Sequence, residues 1–175
     1  KPMFRLIDNN DTQSMTDLIG IGFDSTLTLN GETPLMRAAK VGNVEMVNIL
    51  LEDAKVQKGD EFGVFLNSHY PPQQVNALHL AADYGHADIV EILIKSHPDE
   101  AYRHSTCANG ETPLHFALKN GHDDVLQVLL SKPLTDHQAL HKAASCEHRS
   151  TFDALLNKVH TMDNSAMFLD STDKK

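Results

Sequence analysis

A five-residue string occurs twice in this chain: Gly31-Glu32-Thr33-Pro34-Leu35 returns as Gly110-Glu111-Thr112-Pro113-Leu114. The residues after each copy keep step as well. Ala38-Ala39, Gly42 and Leu50-Leu51 match Ala117-Leu118, Gly121 and Leu129-Leu130 at equal offsets from the leucine. A third unit, Ala77-Leu78-His79-Leu80-Ala81-Ala82 with Gly85, Val90 and Leu93-Ile94 after it, holds the same offsets. Degenerate copies flank these three, with Met3, Leu6-Ile7, Asn10, Met15 and Leu18-Ile19 before them and Leu140-His141, Ala143-Ala144, Phe152 and Leu155-Leu156 after. Such recurrence restricts the fold more than composition can, because a short unit buries its apolar face only by stacking on its neighbours.

Each unit reads as a pair of helices. Thr33 and Thr112 carry side-chain oxygens suited to capping a helix start, and Pro34 and Pro113 stand at the first helical position, where no amide donor is needed. Gly42, Gly85 and Gly121 end that first helix, with Asn10 and Glu147 at the equivalent place in the outer units. Asparagine is the usual substitute where the chain turns through positive φ. A second helix comes next, with apolar residues at i, i+3 and i+4: Val47, Leu50, Leu51; Val90, Leu93, Ile94; Leu126, Leu129, Leu130. Alanines let the paired helices approach closely, and the double-leucine rows form one continuous core. Degenerate ends suit units whose outer faces meet water.

These units resemble the ankyrin repeat, whose T-P-L-H-x-A-A-x-x-G-H-x-x-[VI]-[VI]-x-x-L-L pattern is matched most closely by Thr112 to Leu130 and Asn76 to Ile94. The resemblance covers residues 1–160, in units near 1–22, 23–55, 74–98, 109–132 and 136–160. Met36 departs from the usual His, and Asn76 and Gln138 from the Thr. It implies an all-α solenoid of stacked antiparallel helix pairs with projecting β-turn or loop fingers. It also implies a protein-protein interaction module without a cofactor, and not an enzyme within this chain. Residues 161–175 lose the period and read as a tail, a linker or the start of a truncated further repeat.

Spacing of the anchor residues Met3, Leu35, Leu78, Leu114 and Leu140 is uneven: 32, 43, 36 and 26 residues, against about 33 for a regular array. The longest interval places a protruding loop between residues 55 and 75, where Gly59, Gly63, Asn67-Ser68 and Pro71-Pro72 supply turn chemistry. Phe62, Val64, Phe65, Leu66 and Tyr70 make it apolar enough either to fold back on the stack or to serve as a contact. In the shortest interval, Pro133-Leu134-Thr135-Asp136 is left as a tight connection.

The resemblance implies binding along the concave side, formed by the fingers and the exposed face of the first helices. By register, the position two after each anchor gives Arg5, Arg37, Leu80, Phe116 and Lys142. Five after it stand Asp8, Lys40, Asp83, Lys119 and Ser145, and six after it Asn9, Val41, Tyr84, Asn120 and Cys146. The expected partner-binding set is Arg37, Lys40, Leu80, Asp83, Tyr84, Phe116, Lys119 and Asn120. Leu80, Tyr84 and Phe116 form its apolar centre, and Arg37, Lys40 and Lys119 select acidic partners. The competing reading packs Leu80 and Phe116 against the long loop.

Other chemistries find little support. With 15 Lys and Arg against 24 Asp and Glu, the net charge is −9 and no basic run marks a nucleic-acid partner. No apolar stretch approaches the ~20 residues of a membrane helix. Eleven histidines invite a metal reading, but His79, His115 and His141 fall at the T-P-L-H position and His86 and His122 come directly after the repeat glycine, where the family uses them structurally. His137 and His141, with Cys146 or His148, have a spacing that suits zinc yet is common by chance. A Cys-His hydrolase built on Cys107 or Cys146 lacks an oxyanion hole in the surrounding sequence. No glycine-rich phosphate loop occurs, and Asn10-Asp11-Thr12 is a sequon without secretory context. Two unpaired cysteines fit an intracellular, reducing setting, in cytoplasm or nucleus. A monomer is expected. The chain opens Lys-Pro-Met, so it reads as excised from something longer. The alternative function is a targeting or regulatory arm of a multidomain enzyme, for example a pathogen effector acting in a host cell.

Overall fold

In a computed structural model, residues 2–97 and 99–130 are described, and they form a two-layered stack of short helices. The fifth unit at 136–160, the tail at 161–175, and Cys146, His137, His141 and His148 lie outside the described residues. The first helices are α1 (Pro2–Asp8), α3 (Pro34–Val41), α6 (Ala77–Asp83) and α8 (Pro113–Asn120). Their partners are α2 (Thr12–Gly20), α4 (Val44–Lys58), α7 (Ala87–Ser96) and α9 (Asp123–Leu129). Neighbouring first helices touch along one row, α1 to α3 to α6 to α8, and neighbouring second helices along another, α2 to α4 to α7 to α9. Among the described residues the fold is thus an all-α solenoid, with β-structure limited to the isolated bridges Leu29–Glu32 and Tyr70–Val75.

The local chemistry explains the helix boundaries. Thr33 Oγ1 accepts from the Met36 amide at 3.1 Å, capping α3 with Pro34 just inside it. Asn76, standing where the pattern has Thr, does the same for the His79 amide at 3.1 Å. Gly42 closes α3 in the left-handed region at φ 88°, and Asn10 takes up the equivalent turn of the first unit at φ 60°. Between the rows lies a core in which Ala38, Ala39, Ala81, Ala82 and Ala117 are wholly buried. The double-leucine residues Leu50, Leu51, Leu93, Leu129 and Leu130 are buried with them, while Ile94 is only partly so.

The inserted segment departs from expectation. Instead of a protruding loop from residue 55 to 75, α4 continues to Lys58, a 3-10 turn spans Gly59–Glu61, and a short helix, α5, covers Phe62–Leu66. Phe62, Phe65 and Leu66 are buried and Val64 is exposed. Their i, i+3, i+4 spacing gives one turn of helix an apolar face, and covering it on the stack outweighs the local turn signals. Only residues 67–76 remain a connector, leading through the Tyr70–Val75 bridge to α6.

Candidate functional site

The fingers between units lead into the N-terminal ends of the first helices and form one series. In the first finger Leu29 and Glu32 exchange backbone hydrogen bonds of 2.8 and 3.0 Å across Asn30 and Gly31. The second is closed by the Tyr70 amide on the Val75 carbonyl at 2.7 Å, and the third by the Cys107 amide on the Glu111 carbonyl at 2.9 Å. The fingers also touch one another. Ala108 N–H donates to Gln73 O at 2.8 Å, and a side chain at Gly31 would meet Pro71 Cδ at 2.5 Å.

Along the first helices, the eight residues expected to bind a partner fall into three environments. Leu80 and Phe116 are half-buried and pack on the core, Phe116 edge-on to the His79 ring at 5.5 Å. Tyr84 keeps 46% of its surface exposed, with the Lys40 ammonium 5.4 Å from its ring centre, a cation–π geometry. The remaining polar groups are largely engaged within the chain. Arg37 donates to both carboxylate oxygens of Asp8, at 2.8 and 3.1 Å, and sits 3.6 Å from Glu32. Those hydrogen bonds lower the Asp8 pKa and raise that of Arg37. Asn120 donates to the Asp83 carboxylate at 2.8 Å and to the Asp83 and Phe116 carbonyls at 3.2 and 3.1 Å. Lys119 is exposed in the last turn of α8.

Val41, which shares the register of Tyr84 one unit earlier, stands outside the expected set yet is 43% exposed. Its signal in the sequence is an apolar residue at a position where the neighbouring units carry Asn9, Tyr84 and Asn120.

The histidines serve the joints between units. His79 is fully buried at the start of α6, where its Nε2 donates to the Glu111 carbonyl of the following unit at 3.2 Å. His115 repeats the local arrangement, accepting at Nδ1 from the Thr112 amide at 3.1 Å. His86 Nε2 reaches back to the Lys40 carbonyl at 3.1 Å, and His122 Nε2 to the Asp83 carbonyl at 2.9 Å. Each ring lies against the glycine of the preceding unit. A Cβ on Gly42 would meet His86 Cε1 at 2.4 Å, and one on Gly85 would meet His122 Nδ1 at 2.7 Å. Glycine is thus required there twice over, for its positive φ and for the ring seated upon it. At the first joint Asn43 stands in the histidine position, and its Nδ2 donates to Asn10 Oδ1.

Among the described residues no group of three His, Cys, Asp or Glu is placed to hold a metal ion, and Cys107 is buried in its finger. No helix among them is long and apolar enough to cross a membrane.

No curated protein matches the chain. A family model described as ankyrin repeats (three copies) matches residues 3–103 and 78–166, which is most of the sequence. Helix pairs stacked in register, fingers in line and a repeated threonine or asparagine cap agree with that match, and the chain belongs to the ankyrin-repeat family.

Proposed function

We propose that this chain holds a partner protein on the face formed by its fingers and the exposed ends of α3, α6 and α8, with Tyr84 as anchor. Ankyrin repeats are in general protein-protein interaction modules. The observation that carries the finer reading is the half-exposed Tyr84 ring beneath the Lys40 ammonium. A large aromatic left open among polar neighbours is the residue type that dominates binding energy when a partner covers it. Val41 offers a second exposed apolar side chain at the same register in the previous unit, and Leu80 and Phe116 are half-buried on the core along the same helices. Arg37 is matched by Asp8 and Glu32, while Lys40 and Lys119 make no ion pair among the described residues. The face therefore favours a partner that presents an apolar side chain beside carboxylates. A standard interface needs about 800 Å² from each side. The paucity of cysteine supports an encounter inside a cell.

Affinity capture with wild-type chain, compared with Tyr84→Ala and a Tyr84→Ala/Val41→Ser pair, tests the reading. Tyr84 is 46% exposed and carries the Lys40 contact, so its truncation costs about 1 kcal/mol of stability and leaves the chain folded. It weakens the partner by about 2 kcal/mol, or roughly thirtyfold. A folded double variant that retains the same partner undiminished refutes it.

A further inference from the structure

Three Asn-Gly pairs occur in this chain, Asn30-Gly31, Asn109-Gly110 and Asn120-Gly121. Such a pair carries its own reaction. The glycine amide nitrogen, after losing its proton to hydroxide, attacks the asparagine side-chain carbonyl carbon. The new N–Cγ bond forms as the Cγ–Nδ2 bond breaks, and ammonia leaves. Water then opens the five-membered imide at either carbonyl, giving aspartate or isoaspartate. Lacking a Cβ, glycine leaves its nitrogen open to this approach. Three conditions govern the rate in a folded chain: a free carboxamide, a free glycine N–H, and a segment that opens locally at small cost.

The three pairs meet these conditions unequally. Asn120 donates through its amide to three oxygens, those of the Asp83 carboxylate and the Asp83 and Phe116 carbonyls. Gly121 N–H is held by the end of α8, bonding to the Ala117 and Leu118 carbonyls. Asn109 is exposed, but Gly110 N–H donates to the Cys107 carbonyl at 2.9 Å. Its finger is fastened further by Cys107 N–H on Glu111 O at 2.9 Å and Ala108 N–H on Gln73 O at 2.8 Å. Asn30 is exposed, and neither its carboxamide nor Gly31 N–H has a hydrogen-bond partner among the described residues.

Asn30 and Gly31 both sit at positive φ, 54° and 86°, in the manner of a tight two-residue hairpin turn. Only the two Leu29–Glu32 hydrogen bonds close it, and that bridge is isolated, with no second rung to open; Gly31 lies against Pro71 of the second finger, a packing contact without the hydrogen bond that ties Ala108 to Gln73.

We propose that Asn30 is a site of spontaneous deamidation, converted to aspartate or isoaspartate ahead of the other two Asn-Gly pairs. Conversion places a new carboxylate two residues before Glu32, whose side chain lies 3.6 Å from Arg37. The isoaspartate form also inserts a methylene into the main chain of a two-residue turn, which the Leu29–Glu32 register cannot absorb. The first finger therefore changes its charge and shape as the molecule ages.

The test is peptide mapping by mass spectrometry after the whole chain is incubated at alkaline pH in heavy-oxygen water, native and, in parallel, unfolded in denaturant. In the unfolded sample all three pairs convert at comparable rates. In the native sample Asn30 converts first, on the order of tenfold or more ahead of Asn120, with Asn109 between them. Native conversion of Asn109 or Asn120 as fast as Asn30 overturns the proposal. So does an unmodified native Asn30 when the unfolded control has reacted.

Discussion

Acidification should weaken this fold through His79 before the carboxylates of Asp8, Asp11 and Asp24 contribute. Its imidazole is wholly buried between the third and fourth units. Burial disfavours the cation and pushes the pKa down from 6.5 to about 4, with the nearby His69 adding to the effect and the Glu111 and Ser105 backbone contacts opposing it. In the unfolded chain the ring returns to its ordinary value, so between these limits the unfolded state binds the proton that the folded state refuses. The contribution is intact above pH 6.5 and is lost as pH falls toward about 4. At 1.36 kcal/mol per unit, the full difference amounts to about 3 kcal/mol. With a urea slope near 2 kcal/mol per molar, the midpoint moves down by about 1.5 M. Asp8, Asp11 and Asp24 are held below 3.8 by their hydrogen bonds, to Arg37, Ser14 and Thr26 respectively, so their losses fall below this window. Urea titrations across the window should therefore show a steeper pH dependence for wild type than for His79→Gln, which keeps an amide donor and takes no proton. Parallel pH profiles for the two proteins would refute the reasoning, whatever their absolute stabilities.

Two further substitutions probe the joints and the insertion. Gly85→Ala combines a left-handed φ of 80° with a methyl 2.7 Å from the His122 ring, and the backbone strain alone costs about 1–2 kcal/mol. Adding His122→Ala should recover the steric part, so that the double variant is more stable than the two single losses added together; strict additivity in thermal melts would show that the ring and the methyl do not collide. Phe65→Ala should cost about 3–5 kcal/mol if α5 is part of the core, read by denaturant unfolding. A loss below about 0.5 kcal/mol, as at an ordinary surface position, would mark the segment as peripheral.

What the sequence made legible was whatever recurs. Equal offsets located the helix pairs, Thr33 announced its own cap, and Asn10 announced a positive-φ turn without a glycine. Helix α5 was obscured because Gly59, Gly63 and Asn67 punctuate it, although the spacing of Phe62, Phe65 and Leu66 was in view. One helical turn is too short for periodicity to outweigh breaker residues. Register likewise names which positions line up along the first helices, but exposure depends on depth. Leu80 and Phe116, two after the anchor, settle onto the core, while Val41 and Tyr84, six after it, stay open. The histidines after the repeat glycine were recognisable by position. Their acceptors were not, because the Lys40 and Asp83 carbonyls are backbone groups on which the sequence leaves no mark.

The joint at the repeat glycine has a consequence for how such a chain can vary. Its two halves belong to different units: Gly42 receives His86, Gly85 receives His122, and in the first joint Asn10 receives Asn43. Glycine with histidine and asparagine with asparagine are two self-consistent solutions, whereas a mixed pair either crowds the ring or leaves the turn without its bridge. The inherited unit at this position is thus a pair spanning the boundary between repeats, and a crossover that exchanges whole repeats severs it. A repeat can be transplanted without loss only between neighbours that use the same solution. Here the third repeat offers histidine in front and glycine behind, which makes it a matching neighbour to itself.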